Sequence, residues 1–207
     1  MSADTLAGPT ILCFLLKVAS RCNLACDYCY MYEHADQSWR QQPHMFSSET
    51  SALVVKRIGE YVGRRDLQHV SVVFHGGEPL LFGATRLANL AAELRKAMPG
   101  STRCDVSLQT NGVLLTTEAL GILAAADIGV SLSLDGPRAV QDLHRLTPTG
   151  QSSHRDTERA LALLAARPEA FAGVIAVIDP STRPRDVLSY FATQSIPALD
   201  YLLQDAT

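Results

Sequence analysis

Short runs of continuous or alternating apolar residues recur along the chain, and longer stretches between them repeat their apolar positions every three or four residues. A period of two marks a strand and a period near 3.6 marks a helix. Read this way, the chain predicts strands over 12–19, 69–75, 103–110, 129–135, 172–178 and 200–203. Helices are predicted over 48–62, 85–97, 117–125, 153–166 and 185–193. In the first of these, Leu53, Val54, Ile58, Tyr61 and Val62 recur at helical spacing behind Ser48 as an N-cap. Ser153 with Asp156 three residues on has the spacing of a capping box, and Pro99-Gly100 stops the second helix. Strands alternating with helices predict an α/β chain with parallel strands joined by right-handed crossovers.

Two strands carry a further pattern. Ser131, Ser133 and Asp135 alternate with aliphatic residues, and Asp105, Ser107, Gln109 and Asn111 do the same. Successive side chains point to opposite faces, so one face is polar and the other is core. A barrel with a polar ligand inside and helices outside needs that division. An eight-stranded barrel takes about 250 residues, and 207 residues suit six strands better. The expected fold is therefore a partial (β/α)6 TIM-like barrel, a single domain over 1–207. No helix is predicted after the sixth strand, which would leave an exposed edge. That leads to the expectation of a C-terminal truncation or of a partner completing the wall.

Composition narrows the function classes. With 47% hydrophobic and 19% charged residues the chain can bury a core and is not of the disordered class. Its 18 basic and 21 acidic residues give no surplus for nucleic acid. No apolar run approaches the ~20 residues that span a bilayer, so neither nucleic acid nor membrane is an expected partner. Positions 1–9 lack the basic start and apolar stretch of a signal peptide, and a cytoplasmic location is expected.

The five cysteines are unevenly placed. Cys13 and Cys104 stand alone in strand-like runs, while Cys22, Cys26 and Cys29 crowd into eight residues where the first strand ends. Active-site loops of β/α barrels emerge at that end. Disulfide frameworks spread their cysteines, so this cluster reads as a metal site in a loop over 20–45. Three thiolates from one loop can grip three irons of a 4Fe-4S cluster. A ferredoxin closes every iron with four cysteines; three leave one iron open to an amino nitrogen and a carboxylate, groups that S-adenosyl-L-methionine offers. The alternative is zinc held by the three cysteines and His34.

Cys22 to Tyr30, reading CNLACDYCY, resembles the signature of the radical S-adenosylmethionine superfamily, including the aromatic before the third cysteine. His75-Gly76-Gly77-Glu78-Pro79 resembles its GGE motif, and Ser107 to Gly112 resembles the TNG segment of enzymes that modify peptides and sulfatases. Ser131 to Pro137 resembles the family's fourth strand. The resemblance implies that Gly76, Gly77 and Glu78 bind the methionine amino group and Ser133 the ribose, with Asp135 and Asn111 at the pocket. It implies that Arg145 pairs with the methionine carboxylate, that Tyr28 lies near the cluster and that backbone near Tyr30 meets the adenine. Gln141 departs from the pattern, since relatives often carry His there. Turns are the ordinary reading of Asn111 and of Asp135-Gly136-Pro137.

The resemblance runs over nearly the whole chain, and Phe14 to Arg40 looks closest to the FxsB-like branch of the SPASM-type peptide maturases, with 33–39 as the distinctive stretch. Packing of Trp39 in a long ordered loop is the plainer reading of that stretch. The resemblance implies an oxidoreductase that forms a 5′-deoxyadenosyl radical and takes hydrogen from a ribosomally made precursor peptide, joining an aromatic side chain to a nearby carbon in a cyclophane. Implied partners are that peptide, an electron donor of flavodoxin or ferredoxin type, and a protein or domain supplying the auxiliary-cluster half, whose cysteines this sequence lacks. Competing expectations are sulfatase-type formylglycine maturation, a non-catalytic binding module and a simple electron carrier.

Overall fold

The computed structural model describes residues 9–204. Positions 1–8, on which most of the signal-peptide reading rests, and 205–207, the end of the tail after the last strand, lie outside the described residues. Six strands form one sheet: β1 Cys13–Ala19, β2 His69–Gly76, β3 Arg103–Thr110, β4 Ile128–Ser133, β5 Phe171–Ile178 and β6 Leu199–Leu203. They pair in sequential order and every pair is parallel. The helices α1 Ser48–Arg65, α2 Ala84–Ala97, α3 Thr117–Ala125, α4 Arg138–His144, α5 His154–Ala165 and α6 Pro184–Ala192 run between them. Sequential order with right-handed crossovers puts every helix on one side of the sheet, which leaves the other side for a site. Among the described strands β1 neighbours only β2 and β6 only β5, with a single bridge from Ala19 to Met45 on the free side of β1, so the barrel is open, as the six-strand expectation required.

The predicted elements occur with bounds within three residues of those expected; one α-helix is additional, as are two 3-10 turns, Ser38–Gln41 and Pro79–Phe82. In α4 only Ala139, Val140 and Leu143 are apolar, too short a run for a helical period to be read against background. Two capping expectations are corrected. Ser47, not Ser48, caps α1, its hydroxyl accepting from the Thr50 amide at 3.1 Å. Ser153 makes no capping box: its hydroxyl donates to the carbonyl of Arg145 and accepts from Gln141 Nε2. Tertiary partners buried beside it outcompete the local amide.

The two-faced strands are realised. Val70, Val72 and Phe74 on β2, Val106 and Leu108 on β3, and Val130 and Leu132 on β4 are buried under the helices with Leu87, Leu94, Leu123 and Leu164. Burying such side chains contributes about 1.5–3 kcal/mol each. Ser107, Gln109, Ser131 and Ser133 occupy the opposite face and are only partly buried. Asp105 lies at the far end of that face, exposed and paired with His69 and Arg103. The outer strands stay open, with Leu15 exposed on β1, Leu12 exposed just before it, and Leu202 and Leu203 exposed on β6. No helix among the described residues is long and apolar enough to cross a membrane.

Candidate active site

The loop after β1 folds back over the C-terminal ends of the strands and is tied there at several points. The Ser20 amide donates to His44 O, the Ala25 amide to Leu146 O, and Asn111 Nδ2 to Asn23 Oδ1 at 2.8 Å. Backbone amides of Gly77 and Glu78 donate to the carbonyls of Ala19 and Arg21. These contacts bring Cys22, Cys26 and Cys29 to the wall of one cavity of about 490 Å³, together with Tyr28, Tyr30, Gly76, Gly77, Asn111, Ser133 and Arg145. Of the residues expected at the site, Glu78 and Asp135 alone are not in the cavity wall.

The donor set fits a cubane cluster. Burial pushes the Cys22 thiol up to about 12 and the Cys26 thiol up to about 11, and it raises Cys29 as well. Half-buried thiols of this kind ionise when a metal supplies the compensating charge. No three His, Cys, Asp or Glu side chains among the described residues converge to hold a single metal ion. His34, the fourth ligand of the zinc alternative, is absent from the cavity wall that holds the three cysteines. A cubane needs no convergence on a single ion, because each of three irons takes its own thiolate and the sulfurs stand apart. Asn111 Nδ2 also lies 3.6 Å from Cys22 Sγ, a contact that favours the thiolate. Cys13 and Cys104 lie outside the cavity wall.

Gly76 ends β2 at φ +150°, and a Cβ there would strike the carbonyl oxygen of Ala19. A Cβ on Gly77 would strike the Tyr32 hydroxyl and the backbone of Arg21. Bare backbone therefore forms this part of the wall. Glu78 is fully buried beneath it. Its Oε1 accepts from the Leu80 amide at 2.9 Å and the Thr110 hydroxyl at 2.7 Å, and its Oε2 accepts from the Asn111 amide at 2.9 Å. The carboxylate thus joins the ends of β2 and β3 and holds the wall from behind.

Arg145 is the residue that ends α4, and it is buried. Its Nη1 donates to the Tyr28 hydroxyl at 2.9 Å, and Tyr28 donates in turn to Asp135 Oδ2 at 2.5 Å. Asp135 Oδ1 accepts from the Val177 amide, so the carboxylate fastens the cysteine loop to β5. Burial opposes the Arg145 charge, but Asp135, then Tyr28 and Cys26, hold its guanidinium above the ordinary range. Its Nε is buried with no hydrogen-bond partner among the described residues. Ser133 accepts from Gln109 Nε2 at 2.7 Å, and Tyr30, half exposed, lies under the Lys17 ammonium. Gln141, the departure from the family pattern, is fully buried: Oε1 accepts from the Asp135 amide and Nε2 donates to Ser153.

Sequence reasoning missed His144 and Tyr32. The His144 ring sits between Asp27 Oδ1 at 2.7 Å and Asp179 Oδ2 at 3.0 Å, with the Tyr28 ring 5.2 Å away. Burial lowers its proton affinity, but Asp179 and Asp27 outweigh this and raise it above 6.5. A raised histidine contributes stability that is complete below its unfolded value of about 6.5 and lost as pH rises through the folded value. The wild-type melting temperature is therefore expected to fall as the pH rises above about 6.5, and His144→Asn to flatten that slope. Thermal melts across the range check it.

Residues 16–180 match the profile of the Radical SAM superfamily. The chain is 33% identical over 147 residues to a serine-type anaerobic sulfatase-maturating enzyme of Bacteroides thetaiotaomicron, which covers 71% of this chain and 34% of that one. It is 29% identical over 195 residues to a cysteine-type anaerobic sulfatase-maturating enzyme of Clostridium perfringens, covering 92% and 51%. Among solved structures, native anSMEcpe with bound AdoMet and Kp18Cys peptide superimposes with a TM-score of 0.81 at 27% identity, over 95% of this chain and 52% of that one. The chain spans between a third and about a half of the length of these relatives.

Proposed function

The chain belongs to the radical S-adenosylmethionine superfamily, and from that premise we propose that it takes a hydrogen atom from a peptide and joins an aromatic side chain to the carbon so activated. The observation that carries the radical part is a single cavity wall containing three cysteines, two glycines whose Cβ positions are filled by neighbours, and a buried arginine with a free Nε–H. When bound, the 4Fe-4S cluster supplies the electron that splits S-adenosyl-L-methionine into methionine and a 5′-deoxyadenosyl radical.

In this reading Cys22, Cys26 and Cys29 would hold the cluster, and the backbone of Gly76 and Gly77 would receive the methionine amino group. Arg145 receives the carboxylate, where a bidentate contact suits its planar fork. Ser133 would sit at the ribose, Tyr28 near the cluster, the backbone near Tyr30 at the adenine, and Asn111 would steady Cys22. Glu78 and Asp135 act from behind the wall. The radical chemistry so supplied would remove one hydrogen atom from a substrate C–H bond. The carbon radical adds to the ring, which then loses one proton and passes one electron to an acceptor of the iron–sulfur or flavin class. Water has to be kept out while this happens. A flavodoxin or ferredoxin supplies the first electron, and a protein or domain with auxiliary clusters supplies the remaining substrate contacts.

The crosslinking outcome rests on the resemblance of 33–39 to the FxsB-like branch. Formylglycine formation on a Cys or Ser is a second reading, supported by the likeness to sulfatase-maturating enzymes. Anaerobic reconstitution followed by a 5′-deoxyadenosine assay and mass spectrometry of candidate peptides tests both. The expected product has lost two hydrogens, resists fragmentation between the joined residues and does not react with hydroxylamine. An aldehyde that does react favours formylglycine. No 5′-deoxyadenosine from a protein with a verified, reducible cluster overturns the enzyme reading in favour of a binding module.

A further inference from the structure

The stretch 33–39 forms a collar around one ring. Tyr32 meets Trp39 edge to face, with 4.7 Å between centroids. The guanidiniums of Arg21 and Arg40 lie over Trp39 at 5.0 and 5.2 Å. Gln37 closes the collar: its Nε2 donates to the carbonyls of Tyr32 and His34, and its Oε1 accepts from the Trp39 indole and from Arg40 Nε. Arg21 in turn donates to the carbonyls of Trp39 and Arg40.

The collar leaves the Tyr32 ring one orientation, which presses its hydroxyl against Gly77 in the wall of the cysteine cavity. The hydroxyl oxygen is buried and has no hydrogen-bond partner among the described residues. A buried hydroxyl without a partner is destabilising, and phenylalanine would fill the same space without that cost. Cys22 and Cys29 are the charged-form neighbours the hydroxyl feels most. Tyr32 lines the same cavity as Cys22, Cys26 and Cys29, so an acceptor bound among those cysteines lies on the side this hydroxyl faces from the wall.

We propose that the Tyr32 hydroxyl donates a hydrogen bond to a sulfur of the cluster held by Cys22, Cys26 and Cys29 and thereby raises the cluster's reduction potential. Such a bond stabilises the more negative, reduced cluster, and hydrogen bonding to sulfur is a principal control on these potentials. Tyr32 is then a positioning and tuning residue rather than a ligand. The inference rests on the cluster reading and is independent of which peptide product forms.

The test compares the full chain and Tyr32→Phe, both reconstituted anaerobically and titrated without S-adenosylmethionine. Iron and sulfide contents should match. At a fixed potential the ratio of reduced to oxidised cluster should fall about threefold to tenfold in the variant, tenfold being 59 mV for one electron. The apo variant should melt at the same or a higher temperature than the apo wild type, since it loses an unpartnered hydroxyl. An unchanged or more positive potential at full iron content overturns the proposal. So does an unchanged potential with weakened S-adenosylmethionine binding, which would give the hydroxyl to the cofactor, or a destabilised apo variant, which would make its role structural. A wild-type chain that binds no iron overturns the cluster reading itself, and this inference with it.

Discussion

Gly77→Ala is expected to abolish S-adenosylmethionine cleavage while leaving the sheet assembled. The added methyl meets the Tyr32 hydroxyl and also the carbonyl carbon and oxygen of Arg21, all well inside the 3.0 Å that real Cβ atoms respect. The tyrosine cannot swing away, because Trp39 and Gln37 hold its ring and backbone. Arg21 cannot retreat either, because its carbonyl accepts from the Glu78 amide and its side chain anchors 39–40. The clash must therefore displace the cysteine loop. Overpacking costs about 1–3 kcal/mol and sometimes more; with backbone on one side, about 3 kcal/mol is expected here, read as a lower urea midpoint together with loss of bound iron. Gly121→Ala is the control. It lies in α3 with open space around its Cβ position, and the better helix former should gain up to about 1 kcal/mol.

The second large effect is expected at Glu78. Removing the carboxylate in Glu78→Ala strands the amides of Leu80 and Asn111 and the Thr110 hydroxyl in a buried space. At about 1–3 kcal/mol for each buried unsatisfied group, the three together should cost at least about 3 kcal/mol, a large share of the stability of a marginal domain. Glu78→Gln keeps the shape but must point its amide N–H₂ at either the Leu80 or the Asn111 amide. It should lose about 1–3 kcal/mol for the one donor it strands. Both variants should bind S-adenosylmethionine more weakly because the ends of β2 and β3 separate. A Glu78→Gln protein with wild-type stability but no cofactor binding would refute this account and place the carboxylate in contact with the cofactor.

Motif reading and geometry divide the site between them in an instructive way. The cysteine spacing, the glycine pair and the polar strand faces were all legible, because each is a local requirement written in adjacent residues. The cysteines need one short loop, the glycines need bare backbone, and strand alternation reports which face is core. The roles of Glu78 and Asp135 were not legible. Both sit in motifs that read as ligand contacts, and in the fold their carboxylates also accept amide hydrogens from Asn111, just after β3, and from Val177 on β5. Ser153 has the spacing of a local cap, yet a carbonyl and an amide brought near by α4 take its hydroxyl.

By itself the sequence determined the alternation of six strands with helices, the open barrel, and the three-thiolate loop at its mouth. Periodicity and spacing depend on near neighbours in the chain, so one chain suffices to read them. Tertiary structure alone decided which hydroxyls and carboxylates face the cavity. His144 finds Asp27 across 117 residues and Asp179 across 35. Tyr32 is packed by a tryptophan seven positions on and lies against Gly77, just after β2. Those placements follow from how the cysteine loop folds back over the strand ends, and long-range closure of that kind leaves no periodic trace in the residues that take part in it.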